Sequence, residues 1–247
     1  MRKRILDQPI DLVSIDEAAY RAKMALIHPK QFRIVTLNPE MIIKAERDFE
    51  FQAALNNSHL VVPDGTGIVW GLKKLYPGLY EDIKRVPGID LAENILDAAN
   101  ELNKKVAIFG GTKDVIEKVL VNFSKNYPKT QIVKAIDGYQ GEEKDVMIAG
   151  EIALSKPDVV LVALGTPRQE VWINKYANLF PRSVMIGIGG SLDIWSGKKN
   201  RAPLWMQEKN LEWVYRVINE PERIPRIIIS LPQFIWMVLR KSYLHTK

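Results

Sequence analysis

Between residues 32 and 190 the chain alternates short, β-branched apolar runs with longer amphipathic stretches. FRIVTLN (32–38) is followed by a helical pattern from about Pro39 to Asn56, and HLVVPDG (59–65) by a shorter one reaching about Leu75. After RVPGIDLAENILDAANELN, KVAIFGG (105–111) leads into a helix ending near Tyr127, and QIVKAIDGY (131–139) into a helix around residues 142–155. DVVLVALG (158–165) then precedes PRQEVWINKYANLF, and SVMIGIGG (183–190) precedes SLDIWSG. Apolar runs of this length suit strands buried on both faces. Their regular alternation with helices predicts an α/β fold built on a mostly parallel sheet covered on both sides.

The rhythm stops at Gly197. Beyond it, Pro203, Pro221, Pro225 and Pro232 divide the chain into what reads as a series of short helices. We therefore expect a Rossmann-like core over residues 1–197 and a helical appendage over 198–247.

The strands end in T-L-N, P-D-G, F-G-G, D-G-Y, A-L-G-T-P and G-I-G-G. The carboxyl ends of parallel strands form the ligand crevice of such sheets. Glycine there lets backbone N–H groups and helix N-termini approach anionic oxygens. A nucleotide or phosphosugar ligand is the natural inference.

Charge sharpens the picture of the appendage. Residues 198–247 hold ten basic and four acidic side chains, while the rest of the chain is balanced, so the net charge of +6 resides entirely in this segment. Three of the six tryptophans (Trp205, Trp213, Trp236) lie there too. Ile227–Leu239 is apolar but too short to span a bilayer. Bulky apolar residues beside Arg and Lys suit an interfacial helix on an anionic membrane. The competing reading is a tail packed on the core or on a second subunit of a homo-oligomer. The interleaving of basic and aliphatic residues fits a nucleic-acid stripe poorly. The opening MRKRILDQPIDL is too poor in apolar residues for a signal peptide, which predicts a cytoplasmic protein. No cysteine occurs, which excludes disulfides and thiolate chemistry, and three histidines make a histidine metal cluster a poor expectation.

The candidate chemistry centres on VVPDGTGIVWG (61–71), which misses the dinucleotide fingerprint by one residue. Asp64 heads this turn although a carboxylate repels phosphate. It is either a turn or helix-cap residue or a general base. Asn38 before Pro39 reads as a helix N-cap at the crevice, whereas Thr36 has no such explanation. Thr166, Pro167 and Gln169 fit a capping box, unless Gln169 points its amide into the crevice. Gly110 and Gly111 look like a phosphate turn, and Gly165 stands at its strand end as a further substrate-binding candidate. Asp137, Gly138 and Tyr139 can hold a base ring or simply form a turn. Arg85 suits a diphosphate. No D-x-D clamp and no G-x-x-x-x-G-K-[ST] loop occurs, so a diphosphate would be neutralised by arginines and backbone dipoles.

Taken together, TLNPEM, PDGTGIVW, RVPGID, FGG, DGY, ALGTPRQE, GIGGSLDIWSGKKNRAP and LEWVYRVINEPERIPR resemble the WecG/TagA/CpsF glycosyltransferase family, in order from about residue 10 to 230. The pattern is most similar to its TagA branch, the N-acetylmannosaminyltransferases of wall teichoic acid synthesis. The resemblance implies inverting transfer of N-acetylmannosamine from UDP to the 4-hydroxyl of N-acetylglucosamine on undecaprenyl diphosphate, without metal or cofactor, at the inner face of the cell membrane. It implies Asp64 as the base, with Thr36 and Gln169 lining the sugar and acceptor pocket. Asp137, Gly138, Tyr139 and Asp193 fall to the uridine, and Gly110, Gly111 and Arg85 to the diphosphate. Arg216, Arg223 and Arg226 would neutralise lipid diphosphate while Ile227, Ile228, Phe234 and Trp236 enter the membrane interface. Another donor, such as UDP-N-acetylmannosaminuronate or UDP-glucose, and a non-catalytic nucleotide- or lipid-binding regulator are the alternatives.

Overall fold

The computed structural model of the protein describes residues 2–78 and 82–245, the side chains of Arg223 and His245 excepted. It begins with an antiparallel hairpin, β1 (Arg2–Ile5) and β2 (Gln8–Asp11), and helix α1 (Ile15–Ile27). Neither the hairpin nor α1 announces itself in the pattern of apolar positions. Ile5 and Ile10 are nevertheless fully buried, and the Asp11 carboxylate receives Arg2 and the Val61 backbone N–H.

The main body follows as β3 (Phe32–Leu37), α2 (Pro39–Ala45), α3 (Phe49–Asn56), β4 (Leu60–Pro63), α4 (Thr66–Leu75), α5 (Gly88–Glu101) and β5 (Lys105–Gly110). It continues through α6 (Lys113–Asn126), β6 (Gln131–Ile136), α7 (Asp145–Leu154), β7 (Val159–Ala163), α8 (Arg168–Tyr176), β8 (Val184–Gly187) and α9 (Ser191–Trp195). The six predicted strands all form. The helix expected over 39–56 is two, because Asp48 caps a new start by accepting the Phe51 N–H at 2.9 Å.

Strands β3 to β8 make one parallel sheet in the order β4-β3-β8-β7-β5-β6. Alternation along each strand sorts the core. Ile34, Val62, Ile108, Leu161 and Ile186 face α1, α5 and α6 on one side. On the other side Val35, Leu37 and Val61 meet α2, α3 and α4, while Ala107, Phe109, Val160 and Met185 meet α7 and α8.

The last segment holds α10 (Leu204–Glu208), α11 (Glu212–Asn219) and α12 (Ile224–His245). Here the proline reading is corrected. Pro225 lies in the first turn of α12, where no helical N–H is lost, and Pro232 is carried inside a continuous helix. Tertiary packing outweighs the missing hydrogen bond. Phe234 and Val238 are fully buried, and a Cβ on Gly71 of α4 would lie 2.9 Å from the Phe234 ring. Phe234 is thus a core residue rather than a membrane-facing one. Ile228 and Trp236 are exposed, and Arg240 lies over the Trp236 ring. Among the described residues no helix is long and apolar enough to cross a membrane.

Candidate active site

Four strand ends, those of β4, β3, β8 and β7, surround a cavity of about 690 Å³, roofed by α11 and bounded by the start of α12. This is the size of a small-molecule or cofactor pocket. Three helices begin at the cavity: Pro39, Thr66 and Gly88, the first residues of α2, α4 and α5, all line it. Positive helix ends favour an anionic ligand.

Asp64 lies on the floor. The N-cap of α4 is Gly65, in a backbone conformation (φ 104°) that side-chain-bearing residues rarely adopt, so Asp64 precedes the cap and is not itself the cap residue. Its backbone N–H donates to Leu37 O at 2.8 Å, which fixes it beside β3. Its carboxyl accepts the Gly88 N–H. Gly88 packs closely on Thr36, because a Cβ there would lie 3.0 Å from Thr36 Oγ1. Thr36, Asp64 and the α5 N-terminus are therefore packed as one group. The Asp64 residue is half-buried, but its carboxyl is enclosed. Burial raises it to about 6, Arg216 and Arg85 pull it down in part, and Glu212 pushes it up.

Above Asp64 is a knot of charge that the sequence reading did not isolate. Arg85 Nη1 bonds Glu212 Oε2 at 3.0 Å, with side chains only 14% and 6% exposed, so solvent screens the pair poorly. Arg216 meets Glu212 Oε1 at 3.2 Å, and Arg201 lies 3.5 Å from the same oxygen while pairing with Asp90 at 2.5 Å. Burial works against the Glu212 charge, but Arg216, Arg85 and Arg201 together outweigh it and hold the carboxyl below its ordinary range. The Glu-x-x-x-Arg spacing of residues 212 and 216 was the available signal.

Gln169 is buried against the wall. Its Nε2 donates to Glu170 Oε1 at 2.7 Å and its Oε1 accepts the Gly189 N–H at 3.1 Å. The capping-box alternative is corrected: the N-cap of α8 is Pro167, without a side-chain cap, and the Gln169 amide serves the β8 loop instead. Gly187 accommodates it, since a Cβ there would lie 2.5 Å from Gln169 Nε2. Glu170 lies behind, with Oε1 also receiving the Thr166 hydroxyl at 3.3 Å and Oε2 without a hydrogen-bond partner. Burial raises Glu170 to about 7 despite those bonds.

Asn38 and Gly165 also line the cavity, and Asn38 is the N-cap of α2, accepting the Met41 N–H at 3.1 Å. Arg226 reaches the rim, 3.8 Å from Glu40. The side chain of Arg223 is outside the described residues. Gly110, Gly111, Asp137, Gly138 and Tyr139 do not line the cavity. They end β5 and β6, on the far side of β7, where Gly138 N–H bonds Gly111 O at 2.9 Å and Asp137 accepts from Tyr139 and Gln140. Asp193 is also outside it and lies 3.6 Å from Lys199, which pairs with Glu220 at 2.9 Å. Among the described residues no group of three or more His, Asp or Glu side chains is placed to hold a metal.

A carboxylate enclosed beneath guanidinium groups, at the carboxyl edge of a parallel sheet, can accept a proton beside a bound anion, as group transfer requires. The profile of the Glycosyl transferase WecG/TagA/CpsF family matches residues 3–247, and the chain belongs to that family. It is similar to the N-acetylglucosaminyldiphosphoundecaprenol N-acetyl-beta-D-mannosaminyltransferase of Bacillus subtilis (strain 168), with 39% identity covering 85% of this chain and 79% of the relative. The protein of the same name from Bacillus spizizenii is 38% identical over 84% of this chain and 78% of its own length. That from Staphylococcus aureus (strain MW2) is 34% identical over 84% of this chain and 79% of its own.

Proposed function

We propose that the protein transfers N-acetylmannosamine from UDP-N-acetylmannosamine to the 4-hydroxyl of N-acetylglucosamine carried on undecaprenyl diphosphate. The observation that carries this reading is Asp64, a carboxyl raised to about 6 beneath Arg85 and Arg216. A base of that strength stays largely ionised at neutral pH and can accept a hydroxyl proton. The acceptor oxygen attacks the anomeric carbon as the carbon–oxygen bond to the β-phosphate breaks. The proton passes to Asp64, UDP leaves with the bonding pair, and the anomeric centre inverts. Arg85, Arg216 and Arg226 neutralise diphosphate charge, Thr36 orients the reacting sugars, and Gln169 shapes the wall beside them by bracing the β8 loop. With guanidinium groups in that role, the reaction proceeds without a metal.

The activity for which the relatives are named supports both sugar and acceptor. An acceptor on a polyprenyl chain is membrane-borne, so the exposed Trp205, Trp213, Ile228 and Trp236, set among basic residues, suit peripheral attachment to the cytoplasmic face. The test is UDP release with a short-chain lipid-linked acceptor, comparing wild type with Asp64→Asn, each with and without EDTA. We expect a loss of about 10²–10⁴-fold in the variant, retained UDP binding, and no effect of EDTA. Equal turnover in both proteins would refute the assignment of Asp64, and loss in EDTA restored by magnesium would refute metal independence.

A further inference from the structure

The three guanidinium groups around Glu212 come from separate parts of the chain. Arg85 precedes α5, Arg201 follows α9, and Arg216 lies one turn along α11 from Glu212 itself. One carboxylate, contributed by the last segment, therefore gathers cations belonging to both the core and the roof. Two of those cations, Arg85 and Arg216, act on Asp64. Left uncompensated, they would favour its ionised form so strongly that it would hold a proton poorly. We propose that Glu212 is a positioning residue that keeps Arg85 and Arg216 aligned and charge-compensated above Asp64, so that the aspartate remains an effective proton acceptor while both arginines stay in place for a diphosphate.

The arrangement allows both tasks at once. Glu212 engages Arg85 through Nη1 and Arg216 through Nη2, one nitrogen of each fork. Arg85 Nη2 is held separately by Gln207 O at 3.2 Å. Asp64 is faced by Thr36 from β3, by the Gly88 N–H from α5, by Arg85 from the preceding loop, and by Glu212 and Arg216 from α11. The other charged groups on the same cavity are Glu40 from α2, Lys198, Lys199 and Arg201 from the loop after α9, and Glu220 and Arg226 around the start of α12. Several of these have partners of their own: Glu40 with Lys44 at 3.0 Å, Lys199 with Glu220, and Arg201 with Asp90 as well as Glu212. Glu212 is thus the acidic side chain that opposes Arg216 and Arg85 at Asp64, in the same direction as burial.

This inference rests on Asp64 being the base, and the experiment separates the two ideas. The pH profile of kcat/KM is measured for wild type, Glu212→Gln, Glu212→Asp, Arg216→Gln and Asp64→Asn. The Asp64 carboxyl is followed in parallel by ¹³C NMR of the ligand-free proteins. Glutamine at 212 keeps an oxygen for the arginines and removes only the charge. We expect the acidic limb and the NMR titration to move down by about one pH unit in Glu212→Gln, up in Arg216→Gln, and to stay near wild type in Glu212→Asp. A Glu212→Gln limb that coincides with wild type, in an enzyme whose residual limb vanishes in Asp64→Asn, overturns the role of Glu212 and leaves the base in place. A limb that survives in Asp64→Asn overturns both. Should Glu212→Gln not fold, Arg216→Gln and the NMR titration decide alone: an Asp64 titration unmoved by loss of Arg216 overturns the proposal.

Discussion

Replacing Glu170 with Gln isolates the cost of a charge buried behind the substrate wall. The residue is 4% exposed, and its Oε2 is buried without a hydrogen-bond partner. In an unfolded chain it loses its proton at the ordinary 4.5, whereas in the folded protein it does so at about 7. Between those values the folded state holds a proton that the unfolded state has released, so this group's contribution to stability falls as pH rises. It is complete below about pH 4.5 and gone once pH has passed through about 7. At about 1.4 kcal/mol per pH unit, that interval is worth about 3 kcal/mol. Glutamine cannot titrate, and it keeps an oxygen for the Gln169 amide and Thr166 hydroxyl. Urea unfolding of wild type and Glu170→Gln, followed by tryptophan fluorescence from pH 4.5 to 8, gives the difference directly and cancels the other titrating groups. We expect it to move by about 3 kcal/mol in favour of the variant as pH rises, equivalent to roughly 6–12 °C in melting temperature for a domain of this size. A difference constant to within about 0.5 kcal/mol across that range would refute the reasoning.

Two further substitutions test the packing around the site. Gly187→Ala would drive a methyl group into the Gln169 amide, which is pinned on both sides by Glu170 and Gly189. We expect a loss of about 1–3 kcal/mol in urea unfolding and a fall in kcat, and unchanged kinetics would show that Gln169 is not needed where it lies. Phe234→Ala removes the fully buried ring that seats α12 against Gly71. It should cost about 3–5 kcal/mol in the same assay, and a cost below about 1 kcal/mol would mean that α12 is not docked in solution.

Much of this molecule is legible in the chain because its six parallel strands are continuous apolar runs bounded by glycine. The hairpin β1–β2 escapes because β1 carries one apolar residue, Ile5, after Arg2, Lys3 and Arg4, and β2 buries the polar Gln8 and Asp11 along with Ile10. Pro232 misleads because its local cost is real and is offset by Phe234 and Val238 two and six positions on, which only the fold brings to the core. Thr36, Asp64, Gln169, Arg85 and Arg216, each read from its own motif, line one cavity. The glycines of β5 and the Asp-Gly-Tyr turn of β6 look equivalent to them along the chain. Strand order separates them: the crevice lies over β4, β3, β8 and β7, leaving β5 and β6 to one side. Glu170 stays hidden because its neighbour Gln169 carries the motif, and Glu212 because it lies in a segment that reads as a membrane tail.

The strand order also has a consequence for biosynthesis. β8 is the last strand of the sheet to be made, yet it lies in the middle, joining β3 to β7. Until Val184–Gly187 emerges from the ribosome, the nascent chain holds two half-sheets, each with an unpaired edge where β8 belongs. Such edges invite pairing with other chains. Chains terminated before residue 184 should therefore aggregate, while those extended past Gly187 can close the sheet. The crevice acquires its floor only then, and its roof, Glu212 to Asn219, is translated later still. A complete site is therefore expected only once the chain has been made to about Asn219.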